Sequence, residues 1–359
     1  MIAVLTSGVA LGVHVPGLLL ARRLAEAGVP VRVDVLENHL SRAARERIPA
    51  SKNAFHRDFR LALAGQRLSR RNPTVPDDRL VEELLTAWDA DGVDLLVLFS
   101  GFWLPTAHRY AARRPGVRVH ACHVDSVASA SFVSAAAAVP DGLRAADPRD
   151  IWLLEEHDGG IARTIPVDPR PPVPWLRRSA RFLIHGGGWG MGTYAARSRE
   201  LGEHGLALDI VAYEPADVAH GSTHRHFMID PEWHPWHDTG FPPFGTVRPD
   251  GTVDYRRGES HHSSFLLTRE AKAVVSKPGG GTLMDSLAAA TPVVLLEPFG
   301  DHEARNADLW QGLGFGIPYD EWQDSGWSTS LLERLHHNLL DARARTAGYP
   351  QHLIEEAMR

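Results

Sequence analysis

Cysteine is nearly missing from this 359-residue chain: Cys122 is the single one, so no disulfide closes within it and no cysteine-based zinc site can be built. A chain without disulfides suits a reducing compartment, and the cytoplasm is the expected location. No apolar run reaches the ~18 residues that span a bilayer, so no transmembrane segment is expected. The opening stretch MIAVLTSGVALGVHVPGLLLARRL lacks the basic start and the small-residue cleavage site of a signal peptide, and reads as strand, loop and helix. Excess positive charge is missing too: the formal net charge is −6, which argues against a general nucleic-acid binder. Low-complexity tracts and short repeats are absent.

What is there is a globular composition, 43% hydrophobic and 23% charged, on a chain long enough for two cores. MIAVLT reads as a short apolar strand, VPGLLLARRLAEAG as a helix opened by Pro16 and closed by Gly28, and VPVRVDVLE as a second strand. That β-α-β unit opens a doubly wound sheet. DRLVEELLTAWDADG and VDLLVLFSG repeat the pattern, and GVRVHACHVD supplies a strand ending at His123 and Asp125. Residues 165–178 carry five prolines and read as a stiff connector. The expected domains are therefore 1–165 and 166–335, with C-terminal helices over 336–359 that pack back on the first domain. The second half restarts with RFLIHGGGWGMGTYAARSRELGEHG, again strand, glycine turn and helix. The fold class is α/β, two Rossmann-like doubly wound parallel sheets facing a cleft.

Two glycine-rich loops stand at strand ends of the second half, HGGGWGMG with Gly187 and Gly188, and PGGGT with Gly279, Gly280 and Gly281. Glycine admits close backbone approach, and a helix start presents free N–H groups and a positive dipole end. Two such seats on one rim suit a diphosphate. Neither loop ends in the Gly-Lys-Ser/Thr of a P-loop.

The stretch SKPGGGTLMDSLAAATPVVLLEPFGDHEARNADLWQGLGFG, residues 276–316, resembles the donor-binding segment of GT-B glycosyltransferases of the MurG-like and UDP-glucuronosyltransferase-like kind. The shared pattern is a glycine loop with Thr282, an acid three positions on at Asp285, the strand TPVVLLEP, the pair Asp301-His302, then Asn306-Ala307. The resemblance implies a glycosyltransferase using a nucleotide sugar, most readily a UDP-sugar, and a small-molecule acceptor from a bacterial biosynthetic pathway. Asp285 would hold the ribose hydroxyls. The amides of Gly280, Gly281 and Thr282 would hold phosphate, with Gly187 and Gly188 as the second seat. Asp301 and His302 would meet the sugar. On the acceptor side, His14 stands where the family has a base, and Asp125 where an acid can back it. Transfer would invert the anomeric centre without a metal, and no cofactor is implied beyond the donor as co-substrate.

Other features stay open. His220, His224, His226, His234 and His237 cluster, but their spacing fits no metal pattern, and the segment reads as an irregular loop facing the cleft. Residues 42–71 carry nine Arg or Lys against two acids, a patch suited to weak contact with a membrane surface or to an acidic acceptor. A sugar-nucleotide epimerase on the same fold and a non-catalytic sugar-nucleotide-binding partner remain alternatives. A dehydrogenase is disfavoured, because no G-x-G-x-x-G follows the first strand.

Overall fold

Two parallel sheets organise the chain. The structure, a computed structural model, describes residues 1–8, 11–69, 75–139, 144–219, 223–238 and 240–358. The first sheet contains β1 (Ile2–Thr6), β2 (Val31–Val35), β3 (Leu95–Leu98), β4 (Arg118–His123) and β5 (Arg149–Trp152), in the spatial order β2-β1-β3-β4-β5 with all neighbours parallel. β1 and β3 are buried along their whole length, as expected for strands covered on both faces, and this explains their unbroken apolar runs. The crossovers include α1 (Leu11–Glu26), α2 (Ile48–Arg57), α3 (Phe59–Ser69), α4 (Asp78–Ala90), α5 (Leu104–Arg113) and α6 (Ala130–Ala138).

The second sheet holds β6 (Arg181–His185), β7 (Ala207–Ala212), β8 (Arg225–Ile229), β9 (Phe244–Thr246), β10 (Ala273–Ser276), β11 (Val293–Leu295) and β12 (Gly316–Pro318). Its order is β9-β8-β7-β6-β10-β11-β12, parallel except for β9 on β8. Helix α7 (Tyr194–Glu203) follows β6, α8 (Gly280–Ala289) follows β10, and α9 (Asp301–Gly312) follows β11. Then come α10 (Thr329–Arg345) and α11 (Tyr349–Ala357).

The proline-rich connector is pinned from within. The buried Arg178 guanidinium donates to the carbonyls of Val173, Ala271, Ala289 and Ala290 and to Thr291 Oγ1, at 2.6–3.2 Å. Burial pulls its pKa down to about 10. The last helix returns to the first sheet: Tyr349 Oη lies 2.8 Å from His120 Nδ1, and Glu356 pairs with Arg118 at 3.0 Å. One apolar cluster runs without a break from β1 and α1 through α8 to Tyr349 and Leu353, so the sheets share a core as well as a cleft.

Candidate active site

A cavity of about 720 Å³ opens between the carboxyl ends of the two sheets, where ligands settle in open parallel sheets. Its second-half wall is built by both glycine loops. β10 ends at Ser276, Gly279 caps α8, and the first intrahelical bond runs from Leu283 N to Gly279 O at 3.1 Å. The amides of Gly280, Gly281 and Thr282 come before that bond, at the positive end of the helix.

The glycines serve the domain contact as well. A Cβ on Gly280 would sit 2.1 Å from the carbonyl oxygen of Val124, and one on Gly188 would sit 2.7 Å from Leu11 Cβ. The first half therefore touches both loops where they lack side chains. In the first loop, Gly187 donates its N–H to His185 Nδ1 at 3.1 Å, which makes that nitrogen an acceptor and puts the imidazole proton on Nε2. Burial and then the Lys277 charge lower the His185 pKa to about 4.

Lys277 lies between the loops. Its ammonium is 3.3 Å from where a Gly187 Cβ would stand and 3.8 Å from where a Gly279 Cβ would stand. The side chain is buried and pairs with the buried Glu303 at 2.5 Å. Glu303 also accepts from Phe299 N at 2.6 Å. Asn306 joins the halves: its Nδ2 donates to Asp125 Oδ1 at 2.8 Å and to Pro278 O at 2.9 Å, and its Oδ1 accepts from Ser126 N at 2.8 Å. Burial raises the Asp125 pKa, against the pull of His302 and Asn306. Buried His302 Nδ1 has no hydrogen-bond partner.

The residues expected from sequence divide. Asp125, Gly187, Gly188, Gly279, Gly280, Gly281, Thr282, Asp285 and His302 all line the cavity. His14 does not. The sequence put it on a loop ahead of the helix, but α1 begins at Leu11, so His14 falls in the first turn and is fully buried. Its Nδ1 lies 3.0 Å from Thr6 Oγ1, its Nε2 is unpartnered, and the Trp233 ring covers it at 6.0 Å. Burial lowers its pKa to about 4. Asp301 is also displaced, lying exposed at the start of α9 and outside the cavity wall, which its neighbour His302 and then Glu303 form instead.

The histidine-rich stretch does not face the cleft as one loop. His226 lies in β8, and His234 stacks on Trp236 at 4.5 Å in a segment whose Pro235 packs against Gly8. His220 lies outside the described residues. The basic stretch is helical and turned toward the second half. His56 bonds Gly190 O at 2.8 Å and Asp217 at 3.2 Å, Arg57 pairs with Glu214 at 2.8 Å, and Phe55 stacks near Trp189 at 5.9 Å. Arg70 and Arg71 lie outside the described residues. No helix among the described residues is long and apolar enough to cross a membrane.

No protein-family model and no curated protein sequence matches the chain. Solved structures do. The glycosyltransferase SsfS6 of Streptomyces sp. SF2575, complexed with thymidine diphosphate, matches with a TM-score of 0.59 over 99% of this chain and 99% of its own, at 15% identity. Spinosyn rhamnosyltransferase SpnG with thymidine diphosphate matches at 0.59 over 100% of both chains, at 14% identity. Acinetobacter baumannii MurG matches at 0.55 over 99% of both, at 14% identity. The chain has the GT-B fold. Within this GT-B frame, the first half contributes Ser7, Glu37 and Asp125 to the cavity, and the second contributes the glycine loops, Lys277, Asp285, His302 and Glu303. Ser7, Glu37, Lys277 and Glu303 were not singled out by sequence reasoning. Lys277 was the most findable, standing two residues ahead of the glycines.

Proposed function

We propose that this protein transfers a sugar from a nucleoside-diphosphate donor to a small-molecule acceptor. The observation that carries the reading is the buried Lys277 ammonium held between two glycine loops at the N-terminus of α8. A diphosphate placed there meets a cation, helix amides and a dipole together. The GT-B neighbours that hold thymidine diphosphate support a pyrimidine nucleotide, so the donor is a UDP- or dTDP-sugar.

In the proposed reaction, the acceptor attacks the anomeric carbon from the first-half side and the nucleoside diphosphate leaves toward α8, inverting the centre. Lys277 and the loop amides meet the charge that develops on the leaving group, the preorganised stabilisation that dominates such steps, and no metal is needed for that task. The arriving diphosphate competes with Glu303 for the ammonium, which frees the Glu303 carboxylate for the sugar hydroxyls beside His302. Asp285 takes the ribose hydroxyls. The first-half wall is apolar, with Leu11, Val15, Leu36, Leu40, Ile48 and Phe102, and fits an apolar acceptor of a biosynthetic pathway.

A thermal-shift panel with UDP, dTDP, GDP, ADP and NAD tests the reading, since a ligand of the folded state raises the midpoint by mass action. A selective rise with UDP or dTDP is expected, followed by consumption of the matching nucleotide sugar only when an acceptor is present. Consumption without acceptor would point to an epimerase, and binding without turnover to a non-catalytic partner. A rise with NAD alone would overturn the reading.

A further inference from the structure

Besides Asp125, the first-half wall holds a second carboxylate, that of Glu37. Glu37 follows β2, Ser7 follows β1, and the two strands are parallel neighbours, so both residues stand on the same carboxyl rim. Both line the cavity. Ser7 Oγ donates to Glu37 Oε1 at 2.7 Å, and Gly8 N donates to Glu37 Oε2 at 2.8 Å. Glu37 is fully buried and Ser7 is 5% exposed. A carboxylate is kept in such a place only when donors hold it, and here one of the donors is the hydroxyl of Ser7, a residue that lines the cavity. His14 is sealed under Trp233 with Nδ1 on Thr6, and the Asp125 carboxylate is tied to Asn306 in the bridge between the halves.

We infer that Ser7 Oγ and Glu37 form the proton relay for the acceptor, resting on the glycosyl-transfer reading above. The acceptor oxygen forms its bond to the anomeric carbon as the bond from that carbon to the donor phosphate oxygen breaks, the electron pair leaving with the diphosphate. The acceptor proton passes to Ser7 Oγ while the Ser7 proton passes to Glu37 Oε1. Ser7 touches the acceptor; Glu37 acts through it and ends as the carboxylic acid.

Phenols of different acidity separate this role from a structural one. The full-length protein, Glu37→Gln and Ser7→Ala are assayed with UDP-glucose and dTDP-glucose, using 4-methoxyphenol, which must lose its proton in the reaction, and 4-nitrophenol, which is ionised beforehand in mildly basic buffer. Each variant is expected to cut kcat with 4-methoxyphenol about 100-fold, the usual size of a general-base contribution, and to change kcat with 4-nitrophenol by less than about tenfold on the same scale. UDP and dTDP affinity should match wild type in both variants, which also shows that they fold. An equal loss with both phenols, or no loss, would overturn the relay and leave the transfer reading standing. If wild type binds nucleotide but forms neither glucoside, the transfer reading falls, and the relay with it.

Discussion

Asp285 is half-buried in the cavity wall, and burial pushes its pKa up to about 7. As a ribose acceptor it must be a carboxylate. Below pH 7 most of the population is protonated and binds nucleotide poorly; above it most is ionised. UDP or dTDP affinity is therefore expected to rise about tenfold between pH 6 and pH 8, with Asp285→Asn weak and flat over that range. Titrations at both pH values check this, and a wild-type affinity independent of pH would remove the ribose role. Stability runs the other way. A folded pKa raised above the unfolded value of 3.8 gives stability that is full below 3.8 and lost as pH rises through about 7. Above neutrality, nucleotide-free Asp285→Asn should thus melt higher than wild type by scanning calorimetry. The same side chain would cost stability and supply binding.

Helix α8 shows how a local sequence signal acquires a second meaning in the fold. Its glycines marked a site where something approaches closely, and what approaches Gly280 in the structure is the backbone of Val124. A carbonyl oxygen 2.1 Å from the added Cβ has nowhere to go, so Gly280→Ala should part the halves. The expected cost is about 1–3 kcal/mol, the usual range for overpacking, together with loss of nucleotide binding. An unchanged melting temperature would contradict this contact.

The strand, glycine loop and helix of this element were legible because all three signals lie within a few residues. The start of α1 was not. Pro16 looked like a first-turn proline, yet it sits inside the helix, where it has no N–H to give the Gly12 carbonyl. That shift carried His14 from the cleft into the core. Asp301 and Glu303 differ by two helical positions, or about 200° around the axis, so Glu303 lines the cavity while Asp301 lies exposed, a difference the motif alone does not carry. Ser7 and Glu37 meet across 30 positions of sequence through parallel strand pairing, and no local pattern announces such a contact.

At the scale of the whole molecule, α2 latches the two halves together. The hydrogen bond to Asp217 raises the His56 pKa, and the same contact helps to lower that of Asp217 against burial. A raised histidine gives stability that is full below its unfolded value of 6.5 and lost as pH climbs through the folded value, while a lowered aspartate gives stability that is full above 3.8. The latch is therefore strongest between these two values. Small-angle scattering should show the wild-type radius growing toward that of His56→Ala as pH rises past neutrality. A radius that stays at the wild-type value in His56→Ala would contradict the latch.

Lys277 and the glycine loops are expected to hold a diphosphate between the two halves. Calorimetric titration of UDP and dTDP into wild type, Lys277→Met and the double variant Lys277→Met/Glu303→Gln tests it most directly. Lys277→Met alone leaves a buried carboxylate unpaired and should cost about 3–5 kcal/mol of stability. The double variant removes that charge and should recover most of the loss. Wild type is expected to bind one of the two nucleotides, and the double variant to bind it at least about tenfold more weakly while remaining folded, the loss of at least one charge-assisted contact. No binding by wild type, or equal binding by the double variant, would contradict the account.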